Sequence, residues 1–268
     1  MLLYKYMPWK YWFDSVLMGQ FKMTRPDAFN DPFDCINAVC GWLPDSVVEE
    51  AVDCLYTQDE DFQSRETFKK LFLQVYPGHV KDADYHRELL SSLCLILCFA
   101  GVDGLSEEAD LLMWSHYADS AKGVRITFDI PEDGGAYALE RVCYSKEIPV
   151  YDLSKGQHYC SRDDFVGVYR QWIITKGLAW KYENEVRLIL HTPDMDAHRV
   201  VHNGVECFKM PQAWIKEVTF GSEVDANIAS ECVKCFEAVG IKTICWLKAY
   251  KKRFEYGLEY HPITTVLN

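Results

Sequence analysis

Trp180-Lys181-Tyr182-Glu183-Asn184-Glu185-Val186-Arg187-Leu188-Ile189-Leu190 decides how the rest of this chain is read. Its alternating polarity predicts a strand, with Glu183, Glu185 and Arg187 on one face and Val186, Leu188 and Leu190 on the other, toward a core. Two carboxylates side by side raise each other's proton affinity. If that face lines a cleft, a carboxylate there can stabilise a cationic transition state or accept a proton. The plainer alternative is the solvated face of a half-exposed sheet.

Working outward, Leu2 to Tyr6 reads as a first strand, Lys10 to Met18 as a helix closed by Gly19, and Phe21 to Thr24 as a second strand. Asp45 and Ser46 offer a cap to a helix in which Val47, Val48, Ala51, Val52 and Leu55 recur at helical spacing. Further helices are predicted over Glu66 to Val75 and Asp84 to Ser91, ahead of a buried strand over Leu93 to Phe99. Ala109 to Tyr117 reads as a helix, Val124 to Phe128 as a half-buried strand, Asp133-Gly134-Gly135 as a turn and Ala138 to Tyr144 as extended. Asp163 to Ile174 looks helical. Strands at Glu206 to Met210 and Ile215 to Phe220, a helix from Val224 to Val239 stopped by Gly240, and a strand from Ile241 to Trp246 complete the pattern. No repeat or linker divides the chain. The expectation is one α+β domain over 1–268, with split, mostly antiparallel sheets and a helical insertion near residues 44–92.

Composition sets the class. At 268 residues and 31.1 kDa the chain holds about 1.8 average domains, and 49% hydrophobic with 14% aromatic residues is ample for a core. With 28 basic against 40 acidic side chains the formal charge is −12, which argues against broad electrostatic binding to phosphate but leaves room for a local basic cleft. The N-terminus lacks a basic stretch followed by an apolar one, so no secretory signal is read. The apolar stretch Leu89 to Val102 falls short of the ~20 residues of a membrane helix. Eleven cysteines, an odd and scattered set, predict reduced core thiols in a soluble cytoplasmic protein.

Other clusters have both structural and chemical readings. Asn30-Asp31-Pro32-Phe33-Asp34 combines turn formers with a rigid proline, which predicts one fixed loop conformation or a substrate loop presenting Asn30 and Asp31. Trp114 and Tyr117, three apart on a helix, are a core pair or a stacking wall for a planar ring. Cys232 and Cys235 lack the second ligand pair of a zinc site and read as core, and His191, His198 and His202 show no evident metal geometry. Glycine-rich phosphate loops, the paired-histidine zinc motif and the serine-hydrolase elbow are all absent. A Cys/His nucleophile remains open, with no particular pair indicated.

Taken together, Leu3-Tyr4-Lys5-Tyr6, the Asn-Asp-Pro loop, Cys98-Phe99-Ala100, Leu112 to Ala118 with Gly123, and Trp180 to Ile189 resemble the bacterial family called domain of unknown function 2971, over roughly residues 2 to 250. A more distant likeness is to ADP-ribosyltransferases. That resemblance implies a site with Lys5 on the first strand, Phe99 and Ala100 on a middle strand, and Glu183 and Glu185 on a late strand, Glu185 being the catalytic acid. Lys5 stands where those enzymes prefer Arg or His, and Ala100 where they carry Ser. On this reading NAD is a substrate, no metal is needed, and Tyr6, Trp114 and Tyr117 hold the nicotinamide ring while Lys5 meets the diphosphate. Glu183 orients or deprotonates an acceptor. The expected function is ADP-ribosylation of a protein or nucleic acid by a toxin or anti-phage effector, with an antitoxin or chaperone partner and no membrane. The alternatives are a non-catalytic nucleotide- or protein-binding module, and a metal-dependent nuclease with Glu183, Glu185 and a distant Asp as metal ligands, in which Arg187 would stand where a catalytic Lys is usual.

Overall fold

The computed structural model describes residues 1–36, 38–40, 45–56, 64–66, 69–70, 83–101, 104–131, 138–152, 170–191, 198–202 and 204–263. Its strands in chain order are β1 (Leu2–Met7), β2 (Gln20–Lys22), β3 (Ala38–Cys40), β4 (Cys94–Phe99), β5 (Val124–Asp129), β6 (Ala138–Arg141), β7 (Cys143–Ser145), β8 (Val150–Asp152), β9 (Thr175–Gly177), β10 (Val186–His191), β11 (Arg199–His202), β12 (Val205–Lys209), β13 (Ile215–Phe220), β14 (Cys245–Lys251) and β15 (Leu258–Pro262). The class is α+β with mostly antiparallel pairings, as the sequence predicts; β13–β14, β3–β8 and β7–β9 are parallel.

Two compact units are present. The first comprises Met1–Thr24, Leu95–Val142 and Ala179–Asn268, and the second Arg25–Cys94 and Cys143–Leu178. The helices Asp45–Tyr56 and Ala83–Leu93, in the stretch expected to be a helical insertion, belong to the second unit. The predicted helix from Glu66 to Val75 and the turn at Asp133-Gly134-Gly135 lie largely or wholly outside the described residues. Of the helix expected over Asp163 to Ile174, residues 170–174 are described and are helical.

The first unit is built on a five-stranded sheet ordered β1-β5-β13-β14-β15, beside a three-stranded sheet ordered β4-β10-β6. Alternation sends Leu3 and Met7 of β1, Ile126 and Phe128 of β5, and Val218 and Phe220 of β13 into one core, where Leu95, Leu97 and Phe99 of β4 join them. Parallel β13 and β14 need a crossover, supplied by the helix Ala226–Ala238. Asp225 caps it, accepting from the backbone N–H of Asn227 at 2.8 Å. Phe236 on this helix meets Trp12 of the helix Trp9–Met18 (ring centres 5.7 Å apart) and Trp246 of β14 (5.1 Å), an aromatic knot that joins both helices to the sheet. The first and second sheets meet at one isolated bridge, where Tyr4 and Ala100 exchange backbone hydrogen bonds of 2.8 and 2.7 Å.

The eight cysteines whose side chains are described are all free, but Cys143, Cys235 and Cys245 are exposed rather than core. Cys235 fails the core expectation because Ala229, Val233 and Phe236 define the buried stripe of its helix and Cys235 falls outside it. No helix among the described residues is long and apolar enough to cross a membrane.

After the helix Glu107–Tyr117, three successive non-glycine residues, Asp119, Ser120 and Ala121, adopt left-handed backbone angles (φ 50°, 54° and 62°). Each such residue costs roughly 1–2 kcal/mol, so the turn persists only because its surroundings hold it. Ala121 N–H donates to the Trp114 carbonyl at 3.1 Å, and the Ala121 carbonyl accepts from Glu223 at 3.1 Å. The turn ends at Gly123, where a Cβ would lie 2.0 Å from the Met7 carbonyl oxygen. Gly123→Ala is therefore expected to lower the unfolding free energy by about 1–3 kcal/mol in a urea titration, since backbone rather than a mobile side chain would have to move.

Candidate functional site

The late-strand segment departs from expectation at Glu183. Leu178–Glu183 forms a 3-10 helix, Asn184 turns through a positive φ of 47°, and only then does β10 begin at Val186. Asparagine tolerates the left-handed region by local hydrogen bonding, and one such residue breaks a run of extended backbone. Glu183 and Glu185 consequently do not share a strand face. Val186, Leu188 and Leu190 do enter the core as expected.

Glu185 and Arg187 are a buried pair. The Arg187 guanidinium, 0% exposed, donates from Nε to Glu185 Oε1 at 2.8 Å and from Nη2 to Oε2 at 3.3 Å. Both carboxylate oxygens are thus engaged in a fork-to-fork contact, the strong form of ion pair. Lys5 of β1 reaches the same region and donates from Nζ to the Cys98 carbonyl at 3.1 Å. Burial pushes the Lys5 ammonium below its usual range, an effect that the nearby Cys98 and Glu185 oppose and Lys22 reinforces. Burial likewise drives the Cys98 thiol well up, and its hydrogen bond to Glu185 adds to the rise. Lys5, Cys98, Glu185 and Arg187 therefore form one electrostatically coupled group at the meeting of β1, β4 and β10.

Tyr6, the residue next to Lys5, projects from the other face of β1 into a second cluster with Ala100, Met113 and Trp114. Its ring meets Trp114 edge to face at 5.3 Å, and its hydroxyl donates to Asp110. Trp114, 1% exposed, donates from Nε1 to the Tyr260 hydroxyl at 3.1 Å. Asp110 also receives the Tyr260 hydroxyl and the Arg125 guanidinium (3.3 Å), and Arg125 lies over the Tyr4 and Tyr260 rings at 5.1 and 4.5 Å. Tyr6 and Trp114 thus fill each other's space, leaving no slot for a planar ring between them. Half-buried Tyr117 donates to Glu183 Oε1 at 2.5 Å. Glu183 is 3% exposed, and its carbonyl accepts from Gly101 N–H at 3.1 Å.

Phe99 is core: it packs edge to face on Phe128 at 5.4 Å. Asn30 and Asp31 belong to the second unit. There Asp31 Oδ1 accepts from Phe33 N–H at 2.9 Å, closing the loop on itself, while Asn30 is exposed. Arg87 pins that loop by donating to the carbonyls of Pro26 (2.8 Å) and Asp31 (3.0 Å). The architectural reading of the loop accounts for these contacts. Its Asp34, 1% exposed, faces Lys176 at 3.8 Å.

Sequence reasoning missed the pairing of Glu185 with Arg187 as a unit, the Arg125–Asp110 network and the Arg87 pin. A polar residue two places from an acid on a strand signalled the first; nothing local signalled the others, whose partners are 15 or more residues away. Among the described residues, no group of three or more His, Cys, Asp or Glu is placed to hold a metal ion.

The depressed Lys5 ammonium has a thermodynamic consequence. Its unfolded form binds a proton more tightly than its folded form, so the stability it withholds is regained as pH rises through the window below its ordinary value of 10.5. Relative to Lys5→Met, wild-type protein should gain unfolding free energy as the pH is raised toward 10.5, read as a changing difference between their urea midpoints.

With this geometry in place, comparison with known proteins adds one finding. No curated protein and no solved structure matches the chain. Residues 113–188, which hold Trp114, Tyr117, Glu183, Glu185 and Arg187, match the family described as Protein of unknown function (DUF2971), the family that the motifs indicate.

Proposed function

We propose that this protein is an ADP-ribosyltransferase-like enzyme that moves ADP-ribose from NAD to a macromolecular acceptor. The observation that carries the reading is the Glu185 carboxylate, 4% exposed, fixed by Arg187 and coupled to Lys5 of the first strand. A carboxylate held in a low-dielectric setting is suited to a reaction that creates positive charge. When the bond between ribose C1′ and the nicotinamide nitrogen breaks, its electron pair goes to nicotinamide and leaves an oxocarbenium-like sugar, whose cation Glu185 stabilises. The acceptor nucleophile then bonds to C1′ and gives up its proton, for which Glu183 is the base. Lys5 offers its ammonium to the diphosphate. Trp114 and Tyr6, packed on each other, have no part in holding the nicotinamide ring; Tyr117 acts by holding Glu183.

The same Arg187 contact supports a second reading, a nucleotide-binding module without turnover, because it occupies both oxygens that a ribose would use. The two readings part on NAD carrying label in the nicotinamide. The enzyme reading predicts label release by wild-type protein in the presence of cell extract as acceptor source, reduced about 10²-fold or more in Glu185→Gln. Because that variant removes a charge that the buried Arg187 contacts, its thermal unfolding must be measured alongside, and Tyr117→Phe, which keeps the pair, should show a smaller loss of rate. Calorimetric binding of ADP-ribose with no label released would favour the binding module; neither binding nor release would discard both.

A further inference from the structure

We propose that the cavity between the helix Glu107–Tyr117, the left-handed turn at 119–121 and the β14–β15 connection binds an uncharged nucleoside, independently of Glu185. The cavity measures ≈ 470 Å³, within the range of small-molecule sites and ample for one base with its sugar. Its walls are preformed. The edge of Trp114 is locked in the core, and Ser120 and Ala121 are held in the strained turn against Gly221, where a Cβ would lie 2.1 Å from the Ala121 carbonyl oxygen. Strain maintained at a cavity wall is a feature of ligand sites more than of plain surfaces.

The lining selects the chemical class. Both of its lysines are already paired: Lys251 lies 2.6 Å from Glu223, and Lys252 lies 2.9 Å from Glu107 and 3.6 Å from Glu255. Two ammonium groups thus face three carboxylates, so a ligand carrying phosphate would meet no uncompensated cation. The Ser120 and Ser222 hydroxyls supply hydrogen-bonding capacity for a polar edge or a sugar. At the mouth, Tyr256 is 101% exposed, with Phe254 two residues away at 87%, the two most exposed large apolar side chains among the described residues. A tyrosine face left entirely in water beside a cavity suits a planar heterocycle that stacks on it, and every nucleobase has such a face.

Titration calorimetry with adenosine, with AMP and ribose as further arms, tests this. Adenosine should bind, Tyr256→Ala should weaken it at least about tenfold without altering the thermal midpoint, and Glu185→Gln protein that remains folded should bind it unchanged. Failure of adenosine to bind, or binding indifferent to Tyr256→Ala, would overturn the proposal. AMP binding tenfold tighter than adenosine would overturn the choice of an uncharged ligand, and ribose binding as well as adenosine would overturn the stacking. None of these results depends on whether NAD is turned over.

Discussion

The fork-to-fork contact between Glu185 and Arg187 is the constraint around which the first unit is arranged. An isolated charge buried this deeply would be expelled or neutralised, since removing one partner of such a pair costs about 3–5 kcal/mol. Each side chain therefore constrains the other, and the start of β10 must sit where Glu185, just ahead of it, and Arg187, within it, can be kept dry together. Asn184 turns the chain sharply, which leaves the acid at the step immediately before the strand. Val142 N–H, donating to the Glu185 carbonyl at 3.0 Å, fixes the backbone there. The pair is held in place by the protein's own contacts, and a fixed charge is the kind that the proposed transfer would require.

β1 separates two different chemistries. Lys5 faces the buried ionic group, while Tyr4 and Tyr6 face a network of tyrosines, Asp110 and Arg125. Alternation makes this division unavoidable: neighbours on a strand cannot serve one site on one face. In the second network Asp110 receives two tyrosine hydroxyls and a guanidinium, while the buried Nε of Arg125 has no hydrogen-bond partner, so its aromatic rings serve as structural members around a partly satisfied cation. Beyond it, on the same side of the sheet, the molecule leaves the cavity rimmed by Tyr256.

Much of the fold is legible locally. The helix Trp9–Met18 ends at Gly19 in a left-handed cap because glycine alone is free of strain there, and the helix Ala226–Ala238 starts on Asp225 as its capping chemistry requires. The strand β4 follows from its continuous apolar run, and β5 and β10 from the alternation read in their segments. What escapes local reading is set by distant partners or by one residue. Asn184 converts a uniform alternating run into a turn and a strand, so Glu183 is claimed by Tyr117 and Glu185 by Arg187. Trp114 looks the same in sequence whether it faces a ligand or Tyr6; its long-range contacts with Tyr6 and Tyr260 decide between them. Only the resemblance places Lys5 and Glu185 in one locality, and the ring-binding role that it gives Tyr6 fails on the face from which that side chain projects.

The central claim is that the Glu185 carboxylate meets the sugar whose bond is cleaved. A crystal structure of the protein soaked with NAD, or with ADP-ribose and nicotinamide, addresses it most directly. The account predicts a ribose hydroxyl within about 3 Å of a Glu185 oxygen, with the Arg187 contact reduced to one hydrogen bond. Ligand density elsewhere, with Glu185 still held by both guanidinium nitrogens, would contradict it.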